Sequence, residues 1–179
     1  MARHRVAEVR FYVDADTLGL AHILAGLRAD VTYPGDPGQT IKRRQRPACP
    51  IVDTDVDDDV WIPEVARRGW LILTRDKAID RRPGEKQAVL RHAAKLVTIA
   101  SNEVLDNWRM LEIVMSQWRQ IEGLTDLPGP FIYTVTRTGL APIDLAAGSK
   151  RRSGGTKGPH HARPSQPDEG KLPFDGRPQ

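Results

Sequence analysis

Residues 55–77 read "DVDDDVWIPEVARRGWLILTRDK", and the way this stretch divides decides the fold. Proline lacks the N–H that a helix interior needs, but the first helical turn tolerates it. A helix through "VWIPEVARR" must therefore begin near Asp58–Val60, which puts the aspartates at its N-terminus. Gly69 suits its C-terminal stop. "WLILT" (residues 70–74) then follows as a short, unbroken apolar run, the signature of a strand buried on both faces. It ends in a charged turn, "RDK". The stretch is thus a helix followed by a buried strand, with acids at the start of one and the end of the other.

The same alternation extends in both directions. "EVRFYV" (8–13) is a β-rich apolar run that stops at "DAD", and "TLGLAHILAGLRAD" behind it is amphipathic through Leu18, Ile23, Leu24 and Leu27. "DVTYPGDPG" reads as a strand entering a turn, and residues 38–50, "GQTIKRRQRPACP", as a basic loop bounded by prolines. Downstream, "PGEKQAVLRHAA" is helical, with Pro83 near its start, and "KLVTIA" is another buried strand. "SNEVLDNWRMLEIVMSQWRQIEG" carries the longest helical pattern, with Val104, Trp108, Leu111, Met115 and Trp118 along one face, a stripe suited to a core or a dimer seam. "PFIYTVTRTG" closes the domain as a strand and turn. Strands alternating with helices imply an α/β fold with a mainly parallel central sheet flanked by helices. Sites in such sheets gather at the carboxyl ends of the strands, where "FYVDAD" and "LILTRD" both end in acids.

Composition bounds the rest. The chain has 179 residues and a net charge of +4, enough for one medium domain with a buried core. Residues 148–179 hold seven Lys/Arg against three Asp/Glu, so they supply the whole excess while residues 1–147 balance. This Gly- and Pro-rich tail has almost no apolar side chains, so disorder is expected there. The domain is expected over 1–147. A single cysteine, Cys49, excludes an internal disulfide framework and fits a reducing cytoplasm. No apolar run approaches the ~20 residues of a membrane span. The early "RHR" is not followed by an apolar stretch with a cleavage site, so no secretion signal is expected.

The five aspartates between Asp53 and Asp59 admit three readings. Asp53, Asp55, Asp57 and Glu64 fall at EF-hand ligand spacing, but the sixth position needs glycine and holds Asp58. One aspartate at a helix start is a cap, and Asp59 competes for that role; a cap does not need five, which repel one another without a compensating cation. In the third reading, Asp14 and Asp16 from one strand end, Asp58 from the helix start and Asp76 from the next strand end converge on one metal site. Carboxylates of this kind suit Mg²⁺ or Mn²⁺, which bind phosphate oxygens and promote phosphodiester cleavage. Arg75, Lys77, Arg81, Arg82 and "KRRQR" (42–46) are candidates to hold a polyanionic backbone, although as surface charges they need no such role.

"RFYVDADTLGLAHILAGL" followed by "DVDDDVWIPEVARRGWLILTRDKAI" resembles the PIN-like domain, in particular its VapC-type toxin subgroup. The similarity covers about residues 8–101. Its specific part runs from "Asp-x-x-Trp-Ile-Pro" to "Gly-Trp-x-x-Leu-Thr-Arg-Asp-Lys". The resemblance implies a PIN fold and a metal-dependent endoribonuclease using Mg²⁺ or Mn²⁺, often the toxin of a toxin–antitoxin pair. An RNA substrate, a cognate antitoxin and a homodimer would follow from it. Asp14 matches the first acid and Asp76 the last; Asp58, three residues before Trp61, matches the middle one. Many such nucleases carry a fourth acid, often Glu. No glutamate matches it here, and Asp16 or another of the aspartates is the candidate substitute.

Two other classes compete. "VDADT" also resembles the signature of aspartyl-phosphate phosphatases, with Asp14 as nucleophile, Asp16 as acid/base and Asp76 with Asp80 as a further pair. The apolar strand ending in Ser or Thr that should intervene comes too late, at Ser101. The other alternative is an RNA- or antitoxin-binding module without catalytic activity, since a fold does not establish an activity.

Overall fold

The structure, a computed structural model, describes residues 5–76 and 83–145, the side chains of Pro83 and Glu85 excepted. In chain order the described elements are β1 (Arg5–Val6), β2 (Phe11–Val13), α1 (Leu18–Leu27), β3 (Val31–Thr32), β4 (Gln39–Ile41), β5 (Arg44–Arg46), α2 (Asp58–Arg67), β6 (Leu71–Thr74), α3 (Pro83–His92), β7 (Lys95–Ile99), α4 (Asn107–Ser116), α5 (Trp118–Leu124), β8 (Phe131–Thr136) and β9 (Gly139–Pro142). Six strands form the central sheet in the order β3-β2-β6-β7-β8-β9. Every pairing in it is parallel except β8 with β9.

Helices flank the sheet, and alternation along the strands divides the core in two. Phe11, Val13, Leu71, Leu73, Val97 and Ile99 pack in one cluster with Leu20 and Leu24 of α1 and Met110 and Val114 of α4. Tyr12, Ile72 and Leu96 belong to the other, with Trp61, Ile62 and Val65 of α2 and Val89 of α3. Strands covered on both faces have no polar side to show, which is why "LILT" and "FYV" read as continuous apolar runs.

Several expectations need correction. Residues 38–50 are not simply a loop: they contain the β4–β5 hairpin, which joins β1 in a second sheet ordered β1-β5-β4. Arg46 does not reach solvent. It is 1% exposed, its Nε lies 2.7 Å from Asp36 Oδ2, and its Nη1 donates to the Ala25 and Arg28 carbonyls. The long helical pattern breaks at Gln117, whose backbone leaves helical geometry (φ −109°, ψ 8°), into α4 and α5. The face expected to be a core or a dimer seam divides: Val104, Trp108 and Met115 are 87%, 75% and 54% exposed, whereas Leu111 and Trp118 pack against the core. Met110, Ile113, Val114, Ile121 and Leu124 are buried instead, a second stripe at similar spacing whose phase the sequence alone did not select. In α1, Leu27 and Ile23 likewise point outward while Leu20, Ala21, Leu24 and Ala25 pack inward.

Helix α2 starts at Asp58 as expected, and Gly69 at φ 72° ends it. The Trp70 amide bonds back to the Val65 carbonyl and the Gly69 amide to that of Ala66, a glycine-terminated C-cap. Pro63, however, is the sixth helical residue rather than one of the first turn. It has no N–H to offer the Asp59 carbonyl. Burial of Trp61, Ile62 and Val65 on one face, at roughly 1.5–3 kcal/mol each, holds the helix regardless.

Candidate active site

Strand register assembles the site. Val13 of β2 pairs with Leu73 of β6, so the next residues, Asp14 and Thr74, emerge together at the carboxyl edge of the sheet. The Asp14 amide continues the ladder by donating to the Leu73 carbonyl at 2.9 Å. Asp14 then caps a 3-10 turn, Ala15–Thr17, its Oδ1 accepting from the Ala15 amide at 2.6 Å. That turn places Asp16 beside it.

Thr74 links the two acids. Its buried hydroxyl lies 3.1 Å from Asp14 Oδ2 and 3.3 Å from Asp16 Oδ2, and it accepts the Asp76 amide at 3.0 Å. One hydroxyl carries one proton, so it serves one carboxylate at a time. Asp16 Oδ2 also accepts the Arg75 amide at 3.3 Å, with the Arg75 guanidinium 3.8 Å away. Asp16 Oδ1 is buried without a hydrogen-bond partner. Such an oxygen is costly to leave unsatisfied in a protein interior.

The electrostatics reflect this crowding. Burial, and then the Asp16 charge, push the Asp14 carboxyl up to about 7, against the Ala15 amide and Thr74, with Asp58 adding to the rise. Asp16 is also raised, by burial first; the Arg75 amide and charge and Thr74 oppose the rise, and Asp76 adds to it. Two neighbouring half-buried carboxylates resist ionising together.

Asp58 approaches from α2. Its Oδ1 accepts the Trp61 indole N–H at 2.9 Å, and Trp61 stacks on Tyr12 with ring centroids 5.2 Å apart, so α2 is anchored to the strand that carries Asp14. The helix cap position belongs to Asp57, which makes no side-chain cap bond; Asp59 does not take that role. A cleft of about 20 Å³ opens between Tyr12, Asp14, Trp61 and the loop residues Asp53, Thr54 and Val56, room for about one water or ion. Asp53 thus shares a wall with Asp14, although nothing in its spacing separates it from its loop neighbours.

All four expected acids therefore lie in one electrostatic neighbourhood, with Asp14 and Asp16 as its centre. They do not form a finished cage: among the described residues no three His, Cys, Asp or Glu side chains stand close enough to hold a metal ion. Arg75 faces Asp16 rather than open solvent alone. Lys77 and Arg81, and with them Arg82, Asp80 and the tail from 148 onward, lie outside the described residues. Thr74 is the site residue to which sequence reasoning gave no role. It stood in "LILTRD" as a strand end and as one position of the motif that carries the resemblance.

The family profile described as "PIN like domain" matches residues 9–101, which span β2 to β7 and every acid named above. The chain belongs to the PIN-like domain family. Its mainly parallel sheet flanked by helices is that of a PIN-like fold, a nuclease-type fold, and the acids lie at the carboxyl edge of that sheet. No curated protein and no solved structure matches the chain. No described helix of this PIN-like protein is long and apolar enough to cross a membrane.

Proposed function

We propose that this PIN-like protein is a metal-dependent endoribonuclease, with Asp14 and Asp16 holding Mg²⁺ or Mn²⁺ and Asp58 and Asp76 completing the acidic surround. The observation that carries the reading is the carboxylate pair itself. Two half-buried aspartates share one threonine hydroxyl, and Asp16 Oδ1 is buried without a protein partner. A hard cation would satisfy that oxygen and relieve the repulsion. The donor set fits magnesium, which is commonly held by one or two carboxylates and keeps waters and substrate phosphates as its other ligands. The ion would supply Lewis-acid stabilisation and water activation when bound.

The chain's own residues have separate tasks. Thr74 fixes the two carboxylates relative to β6. Trp61 orients Asp58 through Oδ1, leaving Oδ2 to accept a hydrogen bond from a water. Arg75, beside Asp16, offsets its charge and is a candidate to meet an incoming phosphate. Lys77 and Arg81 follow in sequence as further candidates for the RNA backbone. The resemblance to VapC-type toxins supports the more specific reading that the protein is the toxin of a type II toxin–antitoxin pair, acting in the cytoplasm and held by a cognate antitoxin, with a homodimer as the expected assembly.

The test is cleavage of a labelled single-stranded RNA by wild type, Asp14→Asn and Asp76→Asn, with Mg²⁺ or Mn²⁺ and with EDTA. Cleavage should require the metal and both aspartates. Equal cleavage under all conditions would end the metal-centre reading. Absence of cleavage with retained RNA binding would instead mark a binding module.

A further inference from the structure

The cations of "IKRRQR" (41–46) do not join the acids. Ile41 pairs with Arg44, so Lys42 and Arg43 form a two-residue hairpin loop, and both have positive φ, 47° and 69°. Loops of this kind favour Asn-Gly, because L side chains avoid that region. Here two long cationic side chains occupy it instead, at the tip of the hairpin. A strained conformation kept with bulky charged residues points to a use for them.

Below the tip lies a cavity of about 540 Å³, with Lys42, Arg44, Arg10 and Arg28 on its walls and Leu27 and Ile41 supplying apolar surface. Arg10 and Arg28 are held in place. Both bond to Asp30 Oδ2, at 2.9 and 2.8 Å, and to Glu122 Oε1, at 2.7 and 2.9 Å, and the Arg28 guanidinium lies 4.6 Å from the Trp118 ring centroid. Among the described residues, Lys42, Arg43 and Arg44 have no acidic partner; Glu8 is the cavity's remaining carboxylate. Arg10 precedes β2 and Asp30 precedes β3, whereas Asp14 follows β2. The cavity is therefore at the other end of the strands, roughly 13 Å from Asp14 at 3.3 Å per residue along β2.

We propose that the β4–β5 hairpin and this cavity form a second, non-catalytic docking site for the phosphodiester backbone of single-stranded RNA. Guanidinium forks match phosphate oxygens, and a lysine adds a compact charge. The choice of RNA over an acidic polypeptide rests on the nuclease reading; the excess of positive charge and the strained basic turn do not.

The test is fluorescence anisotropy of a labelled oligouridylate against the full chain in EDTA, across a salt series, so that binding is read without cleavage. Single-stranded nucleic acid contributes about 0.7 to the log–log salt slope per neutralised phosphate. The triple variant Lys42→Ala/Arg43→Ala/Arg44→Ala should flatten the slope by about 2 if all three cations engage and weaken binding at least tenfold in low salt. Lys42→Asn/Arg43→Gly keeps a favoured hairpin turn and should still flatten it by more than 1. An unchanged slope in the folded Asn-Gly variant would overturn the site, as would polyglutamate competing more strongly than unlabelled RNA. The two readings fail separately: hairpin-dependent RNA binding without metal-dependent cleavage removes the nuclease reading and leaves the docking site. Asp14-dependent cleavage with hairpin-independent binding does the reverse.

Discussion

Replacing Asp14 by Asn separates charge from structure. Asparagine caps as well as aspartate, so the bond from the Ala15 amide at 2.6 Å has an equivalent acceptor, and the amide is nearly the same size. The substitution removes the ionisable proton and the charge. The Asp14 carboxyl is raised from 3.8 to about 7, first by burial and next by Asp16. The sign follows directly. A carboxyl raised in the folded state stabilises the fold, relative to the ionised form, below its unfolded pKa, and that stability is lost as pH rises through the folded value. The loss therefore begins near pH 3.8 and is complete above about 7. At 1.36 kcal/mol per pKa unit the full cost of ionisation is on the order of 4 kcal/mol. Solvent at this half-buried carboxylate screens part of it, leaving roughly 2 kcal/mol at pH 8, less than half that at pH 5 and almost none at pH 3. Asp14→Asn should thus raise Tm by about 4–8 °C at pH 8 in EDTA, with a gain that shrinks steadily on acidification, while RNA cleavage is lost. Thermal melts at the three pH values and a cleavage assay on the same preparations decide it. A variant that is less stable at pH 8, or a difference independent of pH, would show that Asp14 is a structural cap and refute the argument from charge.

Three further outcomes follow from the geometry. Mg²⁺ at ten times its dissociation constant should stabilise the wild type by about 1.4 kcal/mol and Asp14→Asn hardly at all; because the metal must displace the proton of a group titrating at about 7, affinity measured by calorimetry should rise between pH 6 and pH 8. Thr74→Val removes the hydroxyl shared by Asp14, Asp16 and the Asp76 amide and should cost about 1–3 kcal/mol in denaturant melts together with most of the cleavage activity, whereas Thr74→Ser should restore both. Ala93 ends α3 at φ 53°, with the Ala94 amide bonded back to Val89; Ala93→Gly should raise stability by roughly 0.5 kcal/mol without altering cleavage.

What was legible in the sequence follows the range of the interactions involved. The sheet showed itself because strands covered on both faces must be apolar at every position, as "LILT" and "FYV" are. The acids showed themselves because each follows such a strand or opens a helix, and a strand end in a parallel sheet has a fixed address. Helix phase was less accessible. Between residues 104 and 124 two apolar stripes share helical spacing, and only packing against α1, β7 and β8 selects Met110, Ile113 and Val114 over Val104, Trp108 and Met115. Arg46 misled for a related reason: a basic run looks solvated until one member meets a buried partner ten residues away, Asp36.

Thr74 lies beyond any such reading. Its role depends on β6 pairing with β2 in one register, Val13 against Leu73, across a separation of sixty residues. A shift of one residue would carry its side chain to the opposite face of the sheet and leave Asp14 and Asp16 without their shared donor. The register is held by Tyr12 and Ile72 packing toward α2 and α3 while Phe11, Val13, Leu71 and Leu73 pack toward α1 and α4. The two halves of the core thus fix the carboxylates relative to each other as surely as any bond within the site. The run of aspartates at 53–59 contributes Asp58, and Asp53 at the cleft wall, but the pair that would hold the metal comes from a strand end that the long acidic run overshadows.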